Sequence, residues 1–211
     1  MASALISMTP PNPPPNEEQE LKTSALERIS RRVIRPFMTA SIFVPGIIEM
    51  IAIAMQFVSP DDSFASATCV HHISFHPMVL VACLVTLVGA GIRLWCYHAL
   101  GRLFTFQLAL LPHHKLITTG PYAIVRHPAY TGGILVLGGV TLANATKGSW
   151  AYECGLVYGV GGVTWAVLSS VACTIMIERC AREDGVLRQA FSEEWEAWSR
   201  RVTWRLVPWV Y

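Results

Sequence analysis

The stretch that decides the fold runs from Pro77 to Leu100 and reads PMVLVACLVTLVGAGIRLWCYHAL. Its only formal charge is Arg93, with His98 toward the end. Wound as a helix it is about 35 Å long, enough to cross a hydrocarbon core of about 30 Å with some tilt. Pro36 to Val58 is a second run of this kind, with Glu49 as its only charge. Two further apolar runs follow. Tyr130 to Ala143 is short and glycine-rich, so its length leaves open whether it crosses, and it can begin earlier, at Pro128. Trp150 to Ile177 is long. The two read as a hairpin turning at 144–149, between Asn144 and Ser149.

Composition agrees. The 211 residues are 53% hydrophobic and 14% charged, against about 25% charged in a typical soluble domain. Mean hydropathy is +0.43. A net charge of +2 is too small to argue for nucleic acid as a partner. The expected fold is therefore all-α: a polytopic transmembrane helical bundle of about four spans with a cytosolic amphipathic C-terminal helix.

Outside the runs the chain divides simply. Residues 1–35 read as a disordered proline-rich tail, ending in Pro13-Pro14-Pro15, followed by a short surface helix with Glu17, Glu18 and Glu20 at one end and Arg28, Arg31, Arg32 and Arg35 at the other. Residues 36–211 read as one membrane domain. The six cysteines form no Cys-x-x-Cys pair and read as apolar packing residues rather than a disulfide framework. Cys69 shares a loop with His71, His72 and His76, but the ligand spacing is incomplete, so no metal site is expected.

Basic residues set the topology. Lys22 and four arginines precede the first run, the loop after it has Asp61 and Asp62 but no Lys or Arg, and Arg102, Lys115 and Arg126 follow the second run. The tail carries Arg179, Arg182, Arg188, Arg200, Arg201 and Arg205. The positive-inside rule places both termini and the 101–127 loop in the cytosol. After Ile177 the composition turns charged, while Leu187, Phe191, Trp195 and Trp198 mark one stripe of an amphipathic helix. The ending from Trp204 to Trp209 reads as an interfacial anchor. Gly155 and Gly159 have the spacing of a helix-packing contact rather than of a nucleotide loop.

Ionisable groups at a membrane edge are costly and mark candidate sites. Arg126-His127-Pro128 stands at the cytosolic entrance to the third run, where Pro128 suits the first position of a helix and leaves backbone N–H groups receptive to an anion. Tyr122 and Tyr130 flank it, and Gly132 and Gly133 admit a ligand or a second helix. The same residues also fit a plain reading, with Arg126 and His127 as flanking charges and the glycines as helix contacts. Arg179 and Glu183, four apart with Asp184 alongside, fit an exposed ion pair equally well.

Two separated blocks carry a resemblance. Leu116 to Tyr122 with Val125 to Gly132, and then Arg179, Glu183-Asp184, Leu187, Phe191, Trp195, Trp198 and Val202 to Pro208, resemble the isoprenylcysteine carboxyl methyltransferase family over residues 77–210. The family often has two glutamates where this chain has Glu183-Asp184, and tyrosines where it has Trp195 and Trp198. The resemblance implies an endoplasmic-reticulum enzyme, active site to the cytosol, that methylates the C-terminal carboxylate of a prenylated cysteine with S-adenosylmethionine. It implies a cofactor pocket lined by Gln107, His114, Lys115, Leu116, Ile117, Tyr122, His127, Pro128, Ala129, Tyr130 and Glu183. Arg179 would face the substrate carboxylate, making Arg179 and Glu183 the expected catalytic pair. A prenylcysteine carboxylate has a pKa near about 3.5 and needs no general base at neutral pH, whereas a phospholipid amine, the nearest rival acceptor, would be protonated and would need one. A non-enzymatic membrane scaffold is the rival of another class.

Overall fold

A computed structural model describes residues 12–13, 28, 30–58, 72–105 and 114–211. Gln107, most of the proline-rich tail and the loop carrying Cys69 and His71 lie outside these residues. The described chain is helical, with no strand among the described residues. A π-helical turn, Ser30–Ile34, leads directly into α1 (Arg35–Val58), which contains Pro45. Then come α2 (Met78–Leu100), α3 (Pro128–Ala145), the single turn α4 (Trp150–Glu153) and α5 (Val160–Arg201). Of these, α1, α2 and α5 are long and apolar enough to cross a membrane.

The short third run does begin at Pro128, giving 18 residues and about 27 Å of helix. It lies antiparallel to α2. A Cβ at Gly132 would come 2.6 Å from the Gly89 carbonyl oxygen, and one at Gly139 would come 2.8 Å from that of Ala82. Below the helices, Ser74 donates its N–H to the Gly148 carbonyl at 3.1 Å. Side chains are excluded where the two backbones touch, which is the small-residue packing that lipid-embedded helices use. Gly132 therefore admits a helix, and the alternative of a ligand at that position is settled against. Pairing of Gly132 with Gly89 also sets the level of Pro128. It lies near Arg93, about 10 Å short of the end of α2 at Leu100. The entrance to α3 is thus the floor of a recess.

Helix α5 borders that recess. It is 42 residues long, about 63 Å, so it cannot lie wholly within a bilayer. The change of composition at Ile177 does not end a helix: the apolar half and the amphipathic half are continuous, and the break comes at Ser192 (φ 33°, ψ −98°). Charged residues after Ile177 are good helix formers, so polarity changes while the backbone does not. Ile34, Met38, Leu137 and Ile175 form a core that joins α1, α3 and the apolar half of α5.

Two expectations for the opposite end need correction. Gly155 and Gly159 do not pack helices together, because 154–159 is a turn region with Gly155 at φ +71°. Nor are all the cysteines reduced packing residues. Cys83, Cys96, Cys173 and Cys180 are free, but Cys154 is disulfide-bonded.

Candidate functional site

The site begins with the break before α3. A residue preceding proline is driven out of the α region, and His127 accordingly caps α3 with φ −126° and ψ 58°. Its imidazole is 3% exposed and faces α5, with Nε2 3.0 Å from Asp184 Oδ1. One helical turn on, the Tyr130 hydroxyl donates to Glu183 Oε2 at 2.8 Å. Glu183 Oε2 is also 4.0 Å from His127 Nδ1. Adjacent acids on α5 are thus held by two residues of the α3 entrance, and both lie at the positive end of the α3 dipole. Arg179, one turn earlier on α5, places its guanidinium 5.9 Å from the centre of the Tyr130 ring.

Asp184 is the anchor of this arrangement and was assigned no role from the sequence. It is 5% exposed, and Oδ2 lies 3.2 Å from Arg205 Nε and 3.5 Å from Arg126 Nη1. Two guanidinium groups and an imidazole surround one buried carboxylate, which offsets the cost of removing it from water. Arg205 reaches it because the C-terminal segment crosses the entrance to α3. The N–H groups of Arg126 and His127 donate to the carbonyls of Trp204 and Arg205 at 2.9 and 2.8 Å, and the Thr131 hydroxyl donates to that of Leu206 at 2.6 Å. The ending reads in the sequence as an interfacial anchor and as part of the block that carries the family resemblance. Trp209, 84% exposed, suits that role, but Trp204 to Leu206 also build the site wall. Within the first turn itself, the N–H groups of Tyr130 and Thr131 both point at the His127 carbonyl, at 3.1 and 3.3 Å.

A second wall comes from 114–125. Tyr122 is buried with Cys96, Phe104, Trp198 and Val202, and Leu116, Ile117 and Ala129 pack against that cluster. The kink at Ser192 turns the last part of α5 back, so that the Trp198 indole donates to the Tyr122 carbonyl at 3.0 Å. Burial pushes the Tyr122 phenol well above its usual range and keeps it neutral. The His114 ring packs 6.0 Å from that of Phe191, and Nδ1 is buried with no hydrogen-bond partner. Burial lowers its pKa, against the nearby Glu183 charge, which raises it.

Of the residues expected to line a cofactor pocket, His114, Leu116, Ile117, Tyr122, His127, Ala129, Tyr130 and Glu183 belong to these two walls, and Pro128 is buried between them. Lys115 is exposed. Asp184, Arg205 and the Trp198–Tyr122 bond are additions. Asp184 could have been found from its register beside Glu183, whereas Arg205 lies in the family-like block Val202 to Pro208 but no spacing pairs it with Asp184.

Residues 79–158 match the isoprenylcysteine carboxyl methyltransferase (ICMT) family. A probable protein-S-isoprenylcysteine O-methyltransferase of Oryza sativa subsp. indica is 29% identical over 129 residues, 58% of this chain and 57% of the rice protein. Protein-S-isoprenylcysteine O-methyltransferase B of Arabidopsis thaliana is 28% identical over 120 residues, 55% of this chain and 52% of its own length. A mouse delta(14)-sterol reductase is 29% identical over 97 residues, 46% of this chain and 20% of the reductase. The chain spans about half the length of the methyltransferases it matches. The family match ends at residue 158, so it covers the α3 wall and not the acids of α5. From α2 to the turn before α5, the chain is similar to the isoprenylcysteine carboxyl methyltransferase family.

Proposed function

We propose that this chain methylates the C-terminal carboxylate of a prenylated cysteine, using S-adenosylmethionine, at the recess between α3 and α5. The carrying observation is the convergence of Tyr130 of the family motif with Glu183 and Arg179 of α5. It supplies a cation beside a half-buried acid at a membrane edge. When bound, S-adenosylmethionine supplies a methyl group on a sulfonium. The residues fit such a molecule: His114 offers a buried ring nitrogen that lacks a partner, and Glu183, with its side chain 33% exposed, retains acceptor capacity beyond its bond to Tyr130.

The acceptor carboxylate is ionised at neutral pH and attacks without a base. One O–C bond forms as the methyl–sulfur bond breaks, and no proton moves. Arg179 orients the carboxylate through a planar fork. His127, held by Asp184, positions the entrance to α3 and shuttles no proton. The recess lies about 10 Å below the end of α2, within reach of a carboxylate whose prenyl chain remains in lipid.

The orientation follows from charge and redox chemistry together. Positive-inside placement puts the recess toward the cytosol. The disulfide-bonded Cys154 lies at the other end, where an oxidising lumen sustains it, as in the endoplasmic reticulum. Purified chain in lipid, given radiolabelled S-adenosylmethionine and N-acetyl-S-farnesylcysteine, should label the acceptor, and Arg179→Ala should reduce kcat/KM by about 100-fold. Label found only in phospholipid would favour amine methylation, and no label in any acceptor would overturn the enzyme reading. The sterol reductase match makes this necessary, because a shared bundle does not fix the chemistry.

A further inference from the structure

Arg93 is the only Asp, Glu, Lys or Arg in α2, and none of the roles above uses it. An ionised side chain within a spanning helix is costly and needs partners. Arg93 is 7% exposed. Its Nη1 donates to the Ala129 carbonyl at 3.0 Å, and its Nη2 donates to the Tyr97 hydroxyl at 2.8 Å. Tyr97 is itself fixed by an edge contact with Phe104, the ring centres 4.3 Å apart.

The two glycines of α3 give the guanidinium its space. A Cβ at Gly132 would come 2.8 Å from Arg93 Cγ, and one at Gly133 would come 3.3 Å from Nη1 and 3.6 Å from Met176 Cε of α5. The guanidinium therefore lies beneath the first turn of α3, facing α5. The carbonyl it grips belongs to Ala129, adjacent to the tyrosine that holds Glu183. A charged donor on a first-turn carbonyl restrains that turn more strongly than the helix bond alone.

We propose that Arg93 is a positioning residue, clamping the first turn of α3 from beneath so that Tyr130 presents Glu183 to the cofactor. The kinetic consequence rests on the methyl-transfer reading, whereas the clamp itself does not. A Lys at this position keeps the charge but cannot grip both oxygens with a planar fork, so it rescues only in part.

The experiment uses the full chain in lipid nanodiscs with Arg93→Met, which keeps most of the stem, and Arg93→Lys. Tyr97→Phe is the milder variant if Arg93→Met fails to fold. Backbone hydrogen exchange should accelerate at least about tenfold over residues 129–136 in Arg93→Met and less in Arg93→Lys and Tyr97→Phe, with 160–175 unchanged. In transfer assays, KM for S-adenosylmethionine should rise about fivefold or more. Unchanged exchange at 129–136 would overturn the clamp, and a fall in apparent kcat at constant KM, which is what a smaller folded fraction gives, would overturn its role in presenting Glu183 to the cofactor. If the unmodified chain transfers no methyl group, the proposed function fails, and exchange alone decides the role of Arg93.

Discussion

The two faces of α3 differ in kind. Toward α2 it presents Gly132 and Gly139, and backbones meet with almost nothing between them. Toward α5 it presents His127 and Tyr130, and contact is made by side chains of opposite polarity. Near the other end of α3, the Trp165 indole donates to the Thr141 hydroxyl at 2.9 Å and adds a polar tie. Apart from the Arg93 bond to the Ala129 carbonyl at the start of α3, the first seam depends on shape and tolerates no added atoms. The second depends on charge and hydrogen bonds, so it can exchange protein partners for ligand groups. Close backbone packing and the candidate site lie on opposite sides of one short helix.

The largest effect is expected where the two backbones leave no room for a side chain. Gly132→Val places a Cβ 2.6 Å from the Gly89 carbonyl and should cost about 3 kcal/mol or more, leaving little folded protein by size-exclusion chromatography in detergent. A variant that elutes and melts like the unmodified chain would show that α2 and α3 need no close approach. Asp184→Asn keeps the volume and an acceptor for His127, but it leaves Arg126 and Arg205 without their anion. A loss of about 2 kcal/mol is expected, read as a lower Tm, with folded protein retained. An unchanged Tm would mean that the C-terminal segment is not latched through this carboxylate.

The smallest effect is a pH dependence on the site side. Burial holds His114 below its ordinary pKa of 6.5, so the folded chain favours the neutral ring more than the unfolded chain does. Its stabilising contribution is complete above about pH 6.5 and is lost as pH falls through the lowered folded value. The Tm of the unmodified chain should therefore drop more between pH 7 and pH 5 than that of His114→Gln. Parallel curves would remove His114 from the buried wall.

Legibility in the sequence followed the same division. Long apolar runs disclosed the bundle because a bilayer imposes length and hydropathy on each span. The Arg126–Tyr130 motif stood out because such residue types are costly at a membrane edge, whereas Glu183 entered only through the family resemblance; the fold joins Tyr130 to Glu183. What failed to show was decided by tertiary distance or by backbone continuity. Arg205 and Asp184 are joined only because the C-terminal segment recrosses α3, and no local pattern encodes that crossing. Glycines at 155 and 159 have the same spacing in a helix as in a turn. Ile177 marks a change of surroundings rather than of conformation, so one helix read as two. Cys154 gave no spacing signal, because it belongs to no Cys-x-x-Cys pair.

The central claim is that α3 and α5 form one methyl-transfer site, and a double-mutant cycle on transfer to N-acetyl-S-farnesylcysteine tests it most directly. Tyr130→Phe and Glu183→Gln each remove one partner of the 2.8 Å bond. Each alone should lower kcat/KM by about 10- to 100-fold. The double variant should be little worse than the poorer single one, because the second change has no bond left to break. Losses that multiply would contradict a shared site, and active single variants would contradict it more strongly still.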